Sequence, residues 1–254
     1  MNRPSVSRAI PPAQTSRSSA FPAEQLVSLT KSRSFEAEQY RTLSQIVESR
    51  CKSRGERVLA VSSPGIGDGK TVTTLNLAGA LAQSRSSRVL VIDGDLRCPS
   101  VASHLRLGGP GRPGLAAAIR GQVSSLQAAL SWLPEWNLSV LTAGIVEDSP
   151  YELLKSQGFS RLIEEVRRDF DFALIDCPPL LAVPDCRVIE RAVDGFLLVV
   201  SAGRTPRKLL EEALNVLPAE KVAGIIFNRD ARPLSGYYGY YDRHYGGHRP
   251  YGKS

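Results

Sequence analysis

The sequence predicts an α/β protein in which a mostly parallel sheet is covered by helices on both faces. Six short apolar runs alternate with helical segments, the order expected when parallel strands are joined by helices. The runs show little polar alternation, as is typical of strands whose two faces are both buried. A glycine-rich turn joins the first run to a helix, and 254 residues are enough for one such domain.

The predicted elements follow one another from residue 34 onward. The first is an amphipathic helix over 34–53, capped by Ser34, with an apolar stripe of Phe35, Tyr40, Leu43, Ile46 and Val47. Further helices are expected over 70–84, within 153–169 and over 205–217. We expect strands at 57–63, 88–93, 138–144, 170–179, 193–202 and 221–228.

The two ends of the chain differ in composition from its middle. Residues 1–34 predict a disordered leader, residues 35–235 the folded domain, and residues 236–254 a flexible, tyrosine-rich tail. Of the net charge of +7, residues 1–34 carry +4 and residues 237–254 carry +2, which leaves +1 for the middle. A domain that grips nucleic acid concentrates positive charge in its core, so no nucleic-acid partner is expected.

The lack of a signal peptide predicts a cytoplasmic protein, and a cytoplasmic protein is not expected to contain disulfides. No run reaches the roughly 18 to 20 apolar residues of a membrane span, and the N-terminus lacks the apolar segment of a signal peptide. The four cysteines form no CxxC pair and lie far from the histidines. We therefore expect neither disulfides nor a metal site built from cysteine and histidine.

The strongest single motif is PGIGDGKT, residues 64–71, between the first strand and its helix. Its glycines let backbone N–H groups turn toward phosphate oxygens, and the N-terminus of the following helix favours the same anion. We predict that this turn binds a nucleotide through Gly65, Gly67, Asp68, Gly69, Lys70, Thr71 and Val72.

Two residues of this turn have distinct chemical roles. Lys70 would reach the β- and γ-phosphates, and the hydroxyl of Thr71 would bind Mg²⁺. Pro64 stands where the usual spacing has glycine, so the strict pattern fails at its first position. The alternative is a glycine-rich turn with an incidental lysine. The strand pattern before the turn and the helix pattern after it favour phosphate binding.

Carboxylates follow two other predicted strands. VLVIDGD places Asp93 at the end of a strand and Asp95 two residues later, and FALIDCPP places Asp176 at the end of another. Ligands of open α/β sheets bind beyond the carboxyl ends of the strands, so these acids could converge on the phosphate loop. They could ligate Mg²⁺, directly or through water, or accept a proton from an attacking hydroxyl. Taken singly, each could be only a turn or cap residue.

Together these motifs resemble the Walker A, A′ and B motifs of the bacterial tyrosine kinases that regulate capsule and exopolysaccharide assembly, which are relatives of the ParA/MinD ATPases. The resemblance covers roughly residues 35–254 and implies a P-loop NTPase fold, with ATP and Mg²⁺ as cofactors. It implies catalytic roles for Lys70, Asp93, Asp95 and Asp176, of which Asp93 would be the base toward the tyrosine hydroxyl. The metal contacts would come from Thr71, Asp93 and Asp176.

Other positions match the family less completely. FNRD resembles the segment that contacts adenine, which points to Asn228, and a strand-terminal turn residue is the alternative. Arg97 follows the A′ acids as it does in the family. VPDC makes Asp185 a further candidate, although an N-cap role is the preferred interpretation. The extra lysine of the ParA/MinD branch would fall at Gly65, which argues against a DNA-partitioning or cell-division ATPase.

The first helix resembles the family's E-x-x-R-x-x-R interface motif, which joins subunits into a ring. Glu38 and Arg41 match, but Ser44 replaces the second arginine and cannot form its bidentate contacts. The resemblance therefore implies a homo-oligomer whose ring is weakened, and the alternative is a solvated charge pair. It also implies a separate membrane activator of the polysaccharide co-polymerase kind, which would recruit this chain to the inner face of the membrane.

The tail carries six of the eight tyrosines of the chain. The resemblance implies that they are phosphate acceptors, and each phosphate would add about −1.5 to −2 charges to a basic tail. These acceptors would be Tyr237, Tyr238, Tyr240, Tyr241, Tyr245 and Tyr251. Two alternatives stay open: a nucleotide-dependent switch or positioning ATPase without kinase activity, and a degenerate scaffold that binds nucleotide without turnover.

Overall fold

A computed structural model describes residues 14–15, 23–107 and 112–230. The predicted tail and its tyrosines lie outside these residues. The described strands form one sheet of eight, in the spatial order β1-β4-β5-β3-β6-β2-β7-β8. Their bounds are β1 (Gln14–Thr15), β2 (Val58–Ser62), β3 (Val89–Asp93), β4 (Ser131–Leu133), β5 (Leu138–Leu141), β6 (Phe172–Asp176), β7 (Gly195–Ser201) and β8 (Val222–Asn228).

All paired strands run parallel except β4 and β5, which are antiparallel. The mostly parallel α/β prediction is confirmed, as are the six strands expected from the apolar runs. Two strands were not predicted, the two-residue β1 and the three-residue β4. Segments this short contain too few side chains to show a period.

The described helices are α1 (Val27–Thr30), α2 (Phe35–Arg54), α3 (Lys70–Leu81), α4 (Val101–His104), α5 (Leu115–Ile119), α6 (Leu126–Ala129), α7 (Pro150–Lys155), α8 (Gln157–Asp169), α9 (Asp185–Ile189) and α10 (Arg207–Val216). The helical stretch predicted within 153–169 is divided between α7 and α8, because Ser156 turns into an extended conformation and caps α8 through Phe159 N. Among the described residues, none of these helices has the length and hydropathy needed to cross a membrane.

Alternate residues of the central strands pack on opposite faces of the sheet. On β2, Leu59 and Val61 join the apolar core beneath α3, whereas Val58 and Ala60 join the core beneath α8. All five residues of β2, β3 and β6 are buried. This double coverage explains why the apolar runs lack polar alternation.

Helix α2 begins as predicted, but its buried face differs from the prediction. The Ala37 amide donates to Ser34 Oγ at 3.2 Å, so Ser34 is the N-cap. The buried residues are Ala37, Ser44, Val47 and Cys51, whereas the side chain of Ile46 is 63% exposed. The predicted stripe was wrong at Ile46, whereas Val47 is buried and Leu43 packs against the core as expected.

The boundary of the predicted leader also requires correction. Residues 23–30 form a segment, here called the N-terminal strap, which contains α1 and lies against α3. The side chain of Leu26 is fully buried, and Ser28 is buried beside it. One buried leucine in a polar segment produces no periodicity, so composition alone predicted disorder over all of 1–34.

Candidate active site

The phosphate loop joins β2 to α3 at the carboxyl edge of the sheet. Gly67 and Gly69 have φ values of +84° and +91°, in the left-handed region that favours glycine. Helix α3 begins at Lys70, directly after Gly69, so its free N–H groups belong to the same turn. The backbone of this turn therefore has the form that anion binding at a helix N-terminus requires.

The loop is braced from the neighbouring strands rather than held by its own residues alone. Thr205 Oγ1 donates to Asp68 Oδ1 at 2.6 Å, and the Gly65 amide donates to Asp68 Oδ2 at 3.3 Å. Asn228 Nδ2 donates to the Asp68 carbonyl at 2.9 Å, and a Cβ on Gly69 would overlap this amide. The side chains of Asp68 and Asn228 thus shape the loop. The predicted adenine contact of Asn228 stays a prediction.

The predicted acids converge on the loop. Asp93 and Asp176 are register partners at the ends of β3 and β6. Lys70 Nζ donates to Asp95 Oδ2 at 3.1 Å, and Thr71 Oγ1 donates to Asp176 Oδ2 at 2.6 Å. All three carboxylates are buried. Lys70 and Thr71 therefore each form a hydrogen bond to one of the acids that we expected near the phosphate loop.

Charge in this cluster is unbalanced, because three buried carboxylates face one ammonium group. Burial, together with the charge of Asp176, raises the pKa of Asp93 to about 7. Burial also raises the pKa of Asp176 to about 6, although Lys70 and Thr71 oppose the shift. For Lys70, burial lowers the pKa, but Asp176 and Asp95 outweigh it and the net shift is upward. The site favours an additional cation.

The donor atoms fit a magnesium ion. Oδ1 of Asp93 and Oδ1 of Asp176 are buried and have no hydrogen-bond partner within the described part of the chain. Together with the Thr71 hydroxyl, these are hard oxygen ligands of the kind that Mg²⁺ prefers. No group of three or more His, Cys, Asp and Glu side chains within the described ranges is arranged to hold a metal alone. Protein sites for Mg²⁺ commonly use one or two carboxylates plus substrate phosphates.

Two residues that sequence reasoning missed hold this cluster in place. Ser100 Oγ lies 3.0 Å from Thr71 Oγ1, and the Ser100 amide donates to Asp93 Oδ2 at 3.1 Å. Gly94 donates its amide to the Asp176 carbonyl at 2.8 Å, and a Cβ on Gly94 would lie 2.6 Å from Ile175 Cγ2. The DGD pattern was the available signal for Gly94, since only glycine lets the chain cross so closely over β6.

Arg97 forms a bidentate ion pair with Asp185, at 2.8 and 2.9 Å. Asp185 is fully buried, whereas the Arg97 side chain is 38% exposed and lines a cavity beside the phosphate loop. The preferred N-cap role of Asp185 was wrong, because Pro184 is the N-cap of α9 and Asp185 is its first residue. The pair connects the loop after β3 to the first residue of α9.

A cavity of about 480 Å³ opens beside the phosphate loop. It is lined by Gly67, Gly69, Lys70, Thr71, Val72 and Asp95 from the predicted site. Arg229, His104 and Gln25 also line it and were not predicted. Gln25 carried no sequence signal because it lies in the segment predicted to be a leader.

The predicted interface residues interact within the chain. Arg41 pairs with Glu38 and donates to Gln83 Oε1 at 3.1 Å and to the Ser32 carbonyl at 2.8 Å. Ser44 is buried and donates to the Arg41 carbonyl at 2.8 Å. The third position of the motif therefore faces the interior here, and the charge pair weighed as the alternative is present.

Comparisons with known proteins agree with this geometry. Residues 59–237 match the family model described as the CobQ/CobB/MinD/ParA nucleotide binding domain. The chain is 33% identical over 218 residues to the tyrosine-protein kinase YwqD of Bacillus subtilis (strain 168), covering 85% of this chain and 90% of that protein. It is similar to the kinase domain of the Escherichia coli tyrosine kinase ETK, with a TM-score of 0.73, 25% identity and 83% of each chain covered.

One relative is much longer than this chain. The succinoglycan biosynthesis transport protein ExoP of Rhizobium meliloti (strain 1021) is 31% identical over 215 residues. That match covers 83% of this chain but only 27% of ExoP.

Proposed function

The chain belongs to the CobQ/CobB/MinD/ParA nucleotide-binding family and, within it, to the bacterial tyrosine-protein kinases; from this premise we propose that it phosphorylates the tyrosines of its own C-terminal tail with Mg·ATP. The observation that carries the proposal is the convergence of Lys70, Thr71 and the strand-end acids on one loop. By analogy with ExoP, the cellular role would be in exopolysaccharide or capsule assembly.

Different groups of the loop bind different parts of Mg·ATP. The backbone amides after Gly67 and Gly69 hold phosphate oxygens, and the Lys70 ammonium neutralises the charge of the terminal phosphates. Thr71, Asp93 and Asp176 would hold Mg²⁺, which supplies charge neutralisation at the phosphate oxygens. Asp95 orients Lys70 through its hydrogen bond of 3.1 Å.

In the proposed reaction, the tyrosine oxygen forms a bond to the γ-phosphorus and the bond from that phosphorus to the bridging β–γ oxygen breaks, releasing ADP. The hydroxyl proton passes to the carboxylate of Asp93. Asp93 suits this role because it ends β3 at the site and its buried Oδ1 has no hydrogen-bond partner among the described residues. This oxygen can accept the proton when Thr71 and Asp176 hold the Mg²⁺ without it. Such a base contributes roughly 10²- to 10⁴-fold to the rate.

The proposal extends to assembly and location. We propose that one subunit phosphorylates the tail of another, because a tyrosine-rich segment at the end of the sequence could reach the active site of a neighbouring subunit. The subunits would assemble as a homo-oligomer on the cytoplasmic side, recruited to the inner face of the membrane by a separate activator. Glu38 and Arg41 remain candidates for the subunit interface.

Mass spectrometry of the full chain after incubation with Mg·ATP tests the proposal. We expect phosphate on one or more of Tyr237, Tyr238, Tyr240, Tyr241, Tyr245 and Tyr251, and none when Lys70→Met replaces the loop lysine. A mixing experiment tests transfer between subunits: the Lys70→Met chain is incubated with an active chain whose six tail tyrosines are phenylalanine. Phosphate on the Lys70→Met tail supports the proposal, whereas ATP turnover with unmodified tails supports the switch ATPase instead.

A further inference from the structure

One buried side chain of the phosphate-loop helix forms two hydrogen bonds to the N-terminal strap. Asn76, on α3, has no exposed surface. Its Oδ1 accepts from the Ser28 amide at 2.9 Å, and its Nδ2 donates to the Gln25 carbonyl, also at 2.9 Å. The same Nδ2 donates to the Val72 carbonyl one helical turn earlier, at 2.9 Å. One carboxamide thus joins the strap to the first turn of α3.

A second attachment leads from the strap to the catalytic acids. The Ala23 amide donates to the His104 carbonyl at 3.0 Å. His104 Nδ1 lies 2.8 Å from the Ser100 carbonyl, and Ser100 in turn contacts Thr71 and Asp93. The strap is therefore bound to both helices that flank the loop, α3 through Asn76 and α4 through His104.

The packing of the strap against α3 is close. A Cβ at Gly79 would lie 2.5 Å from Leu29 Cδ2 and 3.3 Å from Ser28 Cβ. Glycine in the middle of a helix costs roughly 1 kcal/mol relative to alanine. The strap explains why this position carries glycine, because it occupies the space that a side chain would need.

The strap also reaches the nucleotide cavity. Gln25 lines the same cavity as Gly67, Lys70 and Thr71, and His104, to which the strap is attached, lines it too. A carboxamide can donate and accept hydrogen bonds with the hydroxyls or base of a nucleoside. Because Gln25 and Ser28 are fixed by the Asn76 clamp, the position of this carboxamide depends on Asn76.

We infer that the N-terminal strap is a working part of the nucleotide site, in which Gln25 contacts the bound nucleotide and Asn76 is a positioning residue that holds Gln25 there. The inference rests on the proposed nucleotide-binding function and adds a specific requirement to it. Gln25 contributes to nucleotide affinity, although it lies outside every recognised motif and precedes the predicted domain.

Nucleotide affinity of full-length variants tests this inference. The probe is a fluorescent ADP analogue with Mg²⁺, titrated against wild type, Asn76→Ala and Gln25→Ala, with the melting temperature measured for each. Asn137→Ala is the matched control: Asn137 Nδ2 clamps the far end of α3 through three backbone carbonyls, those of Ala82, Ser84 and Ser87. Asn137 does not line the nucleotide cavity.

We expect Asn76→Ala to weaken binding about tenfold and to raise the KM for ATP with little change in kcat, because it loses the hydrogen bonds that fix the strap. Gln25→Ala should weaken binding about threefold to tenfold without lowering the melting temperature. Asn137→Ala should bind within about twofold of wild type, although its melting temperature falls.

Unchanged affinity in a folded Asn76→Ala protein would overturn the inference, as would an equal loss in Asn137→Ala. If Asn76→Ala does not fold, the nucleotide affinity of Gln25→Ala tests the inference instead. Wild-type affinity in that variant would overturn the inference. Failure of the proposed function looks different, because the wild-type protein itself would then bind no nucleotide.

Discussion

Asp93 and Asp176 are register partners on adjacent parallel strands, and each keeps one buried carboxylate oxygen that no described residue hydrogen-bonds. Two like charges held this close in the interior are unfavourable by themselves. The arrangement becomes favourable when a divalent cation lies between such oxygens and the phosphates of a ligand. The carboxyl edge of the sheet is therefore organised for its bound state.

Neutralising one of these acids should raise the stability of the protein and lower its kinase activity. We predict that Asp176→Asn raises the stability of the nucleotide-free protein by about 1 kcal/mol, because it removes a buried like charge. It should lower autophosphorylation by about 100-fold or more. Thermal unfolding without nucleotide and phosphotyrosine immunoblotting measure the two effects. A less stable variant that still phosphorylates its tail would contradict this account of the acid cluster.

Gly94 should tolerate no side chain. We predict that Gly94→Ala destabilises the protein by about 1 to 3 kcal/mol and weakens nucleotide binding, because the new methyl group collides with Ile175 and pushes the loop after β3 away from Asp176. Gly224→Ala is the matched control, since a Cβ there meets only Leu197 Cδ2 at 3.6 Å. Chemical denaturation and ADP titration compare the two. Equal tolerance at both positions would show that the crossing over β6 is not tight.

The pair of Arg97 and Asp185 should behave asymmetrically. We predict that Arg97→Ala costs about 3 kcal/mol, because it leaves the fully buried Asp185 carboxylate without its partner. Asp185→Asn should cost less, because the remaining Arg97 side chain is 38% exposed and can be hydrated. The double variant should recover part of the loss caused by Arg97→Ala. A double-mutant cycle by denaturant unfolding measures this coupling, and additive single effects would argue against it.

Asp194 should make stability depend on pH in the acidic range. Burial raises its pKa, but the Arg57 and Val58 amides and the Arg167 guanidinium outweigh burial and lower it overall. A lowered folded-state pKa means that Asp194 stabilises the fold above its unfolded pKa of about 3.9, and that this contribution is lost as the pH falls through the folded value.

We therefore predict that Asp194→Asn lowers the free energy of unfolding by about 2 kcal/mol at pH 7, and that the difference from wild type shrinks below about pH 4. The exposed Asp148, paired with Arg120, provides the control, because Asp148→Asn should change stability much less. Urea titrations at pH 7 and pH 3 make the comparison. A difference that stays constant across this range would exclude the assignment.

The sequence predicted those parts of the molecule that repeat or that carry a motif. Apolar runs with little alternation located the central strands, and strand ends located Asp93 and Asp176. The carboxyl edge of a parallel sheet brings strand ends together whatever the details of the loops. The convergence of these acids on the loop therefore required no knowledge of side-chain packing.

What the sequence could not predict depends on single long-range contacts. The strap is fixed by Leu26 and by one asparagine on α3, and neither produces a period in the sequence. The partner of Arg97 lies 88 residues away, so spacing alone could not distinguish an ion pair from an N-cap for Asp185. Ile46 was misplaced for a related reason, since hydropathy does not reveal which side of α2 meets α3.

Transfer of the γ-phosphate of ATP to tyrosine rather than to water distinguishes a kinase from a switch ATPase. The most direct measurement incubates the full-length protein with γ-labelled ATP and Mg²⁺ and follows the label in phosphotyrosine and in inorganic phosphate from the first turnover. We predict that most of the early label appears in tail tyrosines and that Lys70→Met shows none. Label released only as inorganic phosphate, with an unmodified tail, would contradict the account.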